Sequence, residues 1–231
     1  MQIWLALSSF LAACDAAGLI DHVIAANAPV YLDSEAWVAS SASPTPLEIR
    51  ATVPGDLITD LQLAGLIGDP LYELNWKNST LWDTRSWAYS TSFALDAASL
   101  AGISAGTSDT LLVFDGVKMP SSVAVNGVAV GTTSNQFLRY EFSLAAAAAT
   151  GAKLAAANTL TLTFDPAVQT TEGRFMACSG GWDWAPYSDT YSMGWGASGP
   201  EPTRSFSKGI WKSVYLVTVP IAAITHLVPH V

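Results

Sequence analysis

From residue 87 onward the chain alternates large and small side chains with a period of two, and this pattern constrains the fold more than any other feature. Trp87-Ala88-Tyr89-Ser90-Thr91-Ser92-Phe93 and Thr159-Leu160-Thr161-Leu162-Thr163-Phe164 each carry their bulk on every second residue. Neighbouring residues of a strand point to opposite faces, so both segments read as half-buried strands. In Ser122-Val123-Ala124-Val125-Asn126-Gly127-Val128-Ala129-Val130, Asn-Gly divides two β-branched runs. A type I′ turn needs positive φ at both central residues, so this segment predicts a two-residue hairpin. Residues 111–114, 138–142 and 211–217 add three further strand candidates, punctuated by Asp115-Gly116 and similar turn residues.

One helix is expected before these strands. Asp56 can cap it, Leu57, Leu61 and Ala64 recur at helical spacing, and Gly65 can supply a left-handed terminal residue. The alanine run 145–149 lies between strand signals and reads as a surface connection of about one helical turn. Several short strands with one or two short helices predict an all-β fold, a two-sheet antiparallel sandwich of jelly-roll type.

The 231 residues are half hydrophobic and carry a net charge of −9 with 13% charged side chains. A core of useful size is available, and no basic stripe exists to neutralise phosphates, so nucleic acid is excluded as a partner. Two cysteines, Cys14 and Cys178, make no disulfide framework, and His22, His226 and His230 match no metal-ligand spacing. No metal or other cofactor is expected. The apolar run 3–14 is too short for a transmembrane anchor but suits the apolar stretch of a signal peptide. Residues 1–28 are therefore a possible signal peptide or leader. Secretion or lysosomal or vacuolar delivery follows if it acts as one, and a cytoplasmic location otherwise. If it is no leader, the Ala- and Ser-rich residues 24–46 read as a connecting arm.

Nine tryptophans are grouped, with Trp76, Trp82 and Trp87 in one segment and Trp182, Trp184 and Trp195 in another. Trp87 and Trp211 fall inside strand patterns and read as core. Gly180-Gly181-Trp182-Asp183-Trp184-Ala185-Pro186 differs, because its glycines and proline oppose regular structure and hold a carboxylate between two indoles on a loop. A sugar ring offers apolar C–H faces for stacking and hydroxyls that donate to a carboxylate. Trp182, Asp183 and Trp184 are accordingly the candidate carbohydrate-binding residues. A buried Trp pair with a loop-capping Asp is the alternative.

Several motifs occur in an order that resembles a known family. They are Val53-Pro54-Gly55-Asp56, the run from Ala64 to Tyr72, Phe114-Asp115-Gly116-Val117, Val125-Asn126-Gly127, Asn135-Gln136-Phe137 with Arg139-Tyr140, Gly181-Trp182-Asp183-Trp184-Ala185-Pro186, and Lys208-Gly209-Ile210-Trp211-Lys212. Across residues 30–231 the chain resembles the N-terminal domain of β-mannosidases of glycoside hydrolase family 2. The resemblance implies a galactose-binding-like β-sandwich over residues 29–219, with 220–231 beginning the connection to a second domain. It also implies a partner, the catalytic barrel, and a ligand, the terminal β-mannoside. On this resemblance Trp182 forms part of the pocket wall, Asp183 hydrogen-bonds a sugar hydroxyl, Trp184 packs beneath the loop, and Asn135 and Arg139 are structural.

Retaining glycoside hydrolysis needs two carboxyl groups about 5–5.5 Å apart. In the family that this chain resembles both are glutamates of the barrel, the acid/base following an Asn, and no Asn-Glu dipeptide occurs here. Glu73, Glu141, Glu172 and Asp165 do not read as a catalytic pair. No catalytic residue is expected in this chain, and the expected function is that of an accessory, substrate-binding domain. A free-standing carbohydrate-binding module and a ligand-free remnant are the competing readings.

Overall fold

The computed structural model describes residues 28–164 and 207–220, apart from 34, 74, 76–79, 84 and 119. Its strands are β1 (Val30–Tyr31), β2 (Trp37–Ser41), β3 (Leu47–Ala51), β4 (Trp87–Ala94), β5 (Ser108–Phe114), β6 (Val117–Lys118), β7 (Ser121–Val125), β8 (Val128–Thr133), β9 (Tyr140–Ser143), β10 (Ala157–Phe164), β11 (Gly209–Ile210) and β12 (Val214–Pro220). They form a six-stranded sheet β3-β2-β4-β10-β7-β8, a four-stranded sheet β1-β12-β5-β9 and a small pair β11-β6. Every pairing is antiparallel. The all-β sandwich expected from the two-residue period is the fold observed.

The alternating segments supply the core. β4 and β10 pair in a register that sets Tyr89 opposite Leu162 and Trp87 opposite Phe164. These four side chains join Leu112, Phe114, Val214 and Leu216 of the facing sheet in one buried cluster. Tyr89 meets Phe164 edge-on with centroids 5.6 Å apart, the arrangement that ring quadrupoles favour. On the opposite face of β5 and β12, Val113, Tyr215, Val217 and Val219 make a second, smaller apolar cluster.

The Asn-Gly hairpin forms as expected. Asn126 and Gly127 have φ of 50° and 78°, and Val125 pairs with Val128. The structure adds a role for the Asn126 carboxamide. Its Nδ2 donates to Lys153 O at 2.8 Å and Asn158 Oδ1 at 2.9 Å, and its Oδ1 accepts from Thr159 N at 2.8 Å, which ties the turn to the start of β10.

Among the described residues there are four short helices, α1 (Leu57–Leu63), α2 (Thr80–Asp83), α3 (Ala97–Ala105) and α4 (Leu144–Ala149). α1 is the helix that the sequence marks. Asp56 accepts from Ile58 N and Thr59 N, and beyond Ala64 the left-handed Gly65 closes a Schellman turn, Gly65 N donating to Gln62 O and Leu66 N to Leu61 O. α4 occupies the alanine run. α3 carries the same punctuation, Asp96 at its start and a left-handed Gly106 at its end, but its AASLAGISA sequence has no apolar stripe to announce it. The segment 24–46, where described, holds β1 and β2 rather than a connecting arm, and the inward positions of β2 are Trp37, Ala39 and Ser41. Trp211 departs from its strand reading. It lies between β11 and β12, 37% exposed, because its indole packs over Gly116, where a Cβ would come within 2.6 Å of Nε1.

Candidate functional site

Trp182, Asp183 and Trp184 lie outside the described residues, as do Glu172 and Asp165. The structure describes the residues that flank the segment bearing the Trp-Asp-Trp motif. Before it the last described residue is Phe164, fully buried at the end of β10, whose carbonyl accepts from Ser86 Oγ at 3.2 Å. After it the described chain resumes at Ser207, against the Val53-Pro54-Gly55-Asp56 loop. Leu57 N donates to Lys208 O at 2.7 Å, and Gly55 N to Ile210 O at 2.8 Å. Ser207 Oγ donates to Asp56 Oδ1 at 3.2 Å, so one carboxylate both caps α1 and holds the returning strand. Gly209 is required by contact. A Cβ there would sit 2.6 Å from Gly55 O and 2.8 Å from Asp56 Cα, and backbone atoms cannot swing aside.

Lys208 is 1% exposed, and its Nζ donates to Trp82 O. An ammonium so deeply buried must be compensated by fixed acceptors or charge, and removing a compensating group leaves a costly buried cation. The sequence motifs around Asp56 and Lys208, some 150 positions apart, are thus two halves of one anchor. Read singly, Asp56 shows only a helix cap and Lys208 only a member of a short motif. Only the fold shows the pairing.

Behind this anchor Asp60 is almost completely buried. Both its oxygens lie 3.1 Å from Thr52 N, and Tyr89 OH donates to Oδ2 at 3.2 Å. Burial raises the Asp60 pKa above the usual carboxylate range, against the lowering effect of these donors. Burial, and then the nearby Asp60 charge, hold the Tyr89 phenol well above its ordinary value.

A second junction gathers more of the motifs. Arg139 Nε bonds Asp115 Oδ1 at 2.6 Å, and Tyr215 OH donates to the same oxygen at 3.1 Å. Trp211 Nε1 donates to Gln136 O at 3.1 Å, while Asn135 Oδ1 accepts from Phe137 N at 2.9 Å to close a local turn. Tyr140 OH accepts from Ser134 N and Asn135 N. These bonds tie the segments around Asp115, 134–139 and Trp211 to one another and, through Tyr140 and Tyr215, to β9 and β12. Among the described residues no His/Cys/Asp/Glu cluster with metal-binding geometry is found, and no helix is long and apolar enough to cross a membrane. Glu73 falls in a turn at φ 49°, and Glu141 stands exposed on β9.

The family profile described as "Glycosyl hydrolase 2 galactose-binding domain-like" matches residues 36–212. The chain belongs to that family. Rat β-mannosidase (Rattus norvegicus) is 30% identical over 87% of this chain and 23% of its own length, and mouse β-mannosidase (Mus musculus) is 28% identical over 98% and 25%. The β-D-mannosidase of Dictyoglomus thermophilum superposes with a TM-score of 0.57 at 26% identity, covering 81% of this chain and 22% of that one. The chain thus matches the N-terminal domain of family 2 β-mannosidases and spans about a quarter of the length of these relatives. For this family 2 domain the context is carbohydrate binding beside a catalytic domain carried by the full-length homologues.

Proposed function

We propose that this domain supplies the substrate-gripping half of a β-mannosidase active site, the catalytic carboxyl pair being supplied by a barrel. The observation that carries the reading is the family match itself, which runs through residues 182–184 in a chain whose sequence holds no Asn-Glu dipeptide. In this reading Trp182 lines the pocket that receives a non-reducing terminal β-mannoside, Asp183 accepts a hydrogen bond from a sugar hydroxyl, and Trp184 packs beneath. The anchor formed by Asp56, Ser207 and Lys208 holds the root of that segment to the sandwich. The barrel then performs the double displacement, for which it needs its own acid and nucleophile about 5–5.5 Å apart.

The test is a chimera that joins this domain to the remaining three quarters of the rat relative, assayed on an aryl β-mannoside. A hydrogen bond to a charged group is worth about 1.5–3 kcal/mol, so Asp183→Ala lowers kcat/KM by about ten- to a hundredfold. A chimera indifferent to Asp183→Ala refutes the assignment.

A further inference from the structure

Strand β3 ends the six-stranded sheet, so one side of it pairs with β2 and the other is an open edge. The side that each residue faces follows from two contacts. The carbonyl of Ala36 accepts from Thr91 Oγ1 of β4, so the even-numbered residues of β2 turn to β4 and the odd ones to β3. Thr52 N donates to the Asp60 carboxylate, away from β2. In an antiparallel pair each residue directs its N–H and C=O to the same side, and successive residues alternate. Leu47, Ile49 and Ala51 therefore bond β2, while Glu48 and Arg50 present their backbone groups at the open edge. A cleft of about 650 Å³ follows this edge, lined by all seven residues 47–53 together with α1 residues including Leu63. Leu63 is 76% exposed.

The edge is complementary to itself. We propose that two copies of this chain associate by antiparallel pairing of β3 with β3, centred on Ile49. In that register Glu48 lies opposite Arg50 of the second copy, and Arg50 opposite its Glu48. Both are hydrogen-bonded pairs, giving four N–H···O bonds across the join, and both set opposite charges side by side on the solvent face. Both side chains are exposed, and neither has an ion-pair partner among the described residues. The next pair outward sets Thr52 opposite Pro46. The Thr52 N–H is already held by Asp60 and Pro46 has none, so the ladder stops where its donors end. Charges on an edge also discourage indiscriminate pairing, but the matched spacing of Glu48, Ile49 and Arg50 about a two-fold axis makes this edge selective for its own copy.

Sedimentation equilibrium of the full 231-residue chain, from about 10 µM to about 1 mM, tests the proposal. A monomer–dimer equilibrium is expected. Glu48→Arg and Arg50→Glu each set like charges opposite one another twice, so each raises the dimer Kd by about tenfold or more, and the double exchange Glu48→Arg/Arg50→Glu restores it. Arg50→Pro, which removes an edge donor without touching the β2 ladder, abolishes the dimer and serves if a charge variant loses its far-UV circular dichroism. A chain that stays monomeric throughout overturns the proposal. So does a dimer that both single reversals leave unchanged, or one that the double exchange fails to restore.

Discussion

Replacing Asn126 separates two contributions that the sequence cannot tell apart. Asn126 tolerates its φ of 50° better than other non-glycine residues, and its carboxamide makes three hydrogen bonds to Lys153, Asn158 and Thr159. Asn126→Gly keeps the backbone freedom and deletes the bonds. Each is worth about 0.5–1.5 kcal/mol net, and two lie where water can replace them, so the lower end applies and the loss is about 1.5–2.5 kcal/mol. Asn126→Ala deletes the same bonds and also forces a Cβ residue with no local hydrogen bond into the left-handed region, adding about 1 kcal/mol. The expected order of stability is native, Gly, Ala, with the alanine variant about 2.5–3.5 kcal/mol below native. Urea unfolding followed by tryptophan fluorescence reads these values, with a common m-value showing that the unfolded reference is unchanged. If Asn126→Gly is as stable as the native chain, the carboxamide bonds contribute nothing and the turn alone explains the residue. If alanine equals glycine, the strain argument fails.

Gly209→Ala meets backbone at 2.6 Å and forces the returning strand off the Val53–Asp56 loop, so a loss of about 3 kcal/mol or more is expected in the same urea assay, against under about 0.5 kcal/mol for a surface control. Asp60 carries a pH prediction. Its pKa in the folded chain is raised, so the folded state holds the proton to higher pH than the unfolded state, and the stability that this proton contributes is full below the ordinary carboxylate range and lost as pH rises through the folded value. Asp60→Asn removes that loss. Relative to native, the variant becomes progressively more stable in urea titrations as the pH rises above the ordinary carboxylate range, and a parallel pair of pH profiles contradicts the burial argument. Asp56→Ala removes the α1 cap and the Ser207 contact together, with an expected cost of about 1–2 kcal/mol by thermal unfolding.

The parts of the fold that were legible in the sequence are those where one local rule suffices. Alternation over 87–93 and 159–164 gave the two central strands, and the Asp56 and Gly65 pair bracketed α1. β2 was hidden because its inward positions after Trp37 are Ala39 and Ser41, both buried but small and with no strand preference of their own. α3 was hidden for a similar reason, as a helix of small residues buries Ser99 and Gly102 instead of a leucine stripe. Trp211 failed as a core strand residue because Gly116, 95 positions earlier, leaves the space that its indole takes. For the candidate site, Trp182, Asp183 and Trp184 rest on composition and resemblance and lie outside the described residues, while the anchor formed by Asp56, Ser207 and Lys208 was not legible at all. The Ser207–Asp56 and Lys208–Trp82 contacts span 151 and 126 residues, a separation at which no periodicity or spacing rule operates.

Phe164 and Ser207, the described residues that flank the segment bearing the Trp-Asp-Trp motif, are each bonded into the body of the sandwich, through Ser86 and Asp56 respectively. Where the chain between two such fixed points is a loop, closing it costs only about 0.6 kcal/mol more for each doubling of its length, so residues can be gained or lost there at little expense to the scaffold. Grafts of this segment between relatives should therefore be cut at these two positions, where the scaffold on either side is fixed by its own bonds.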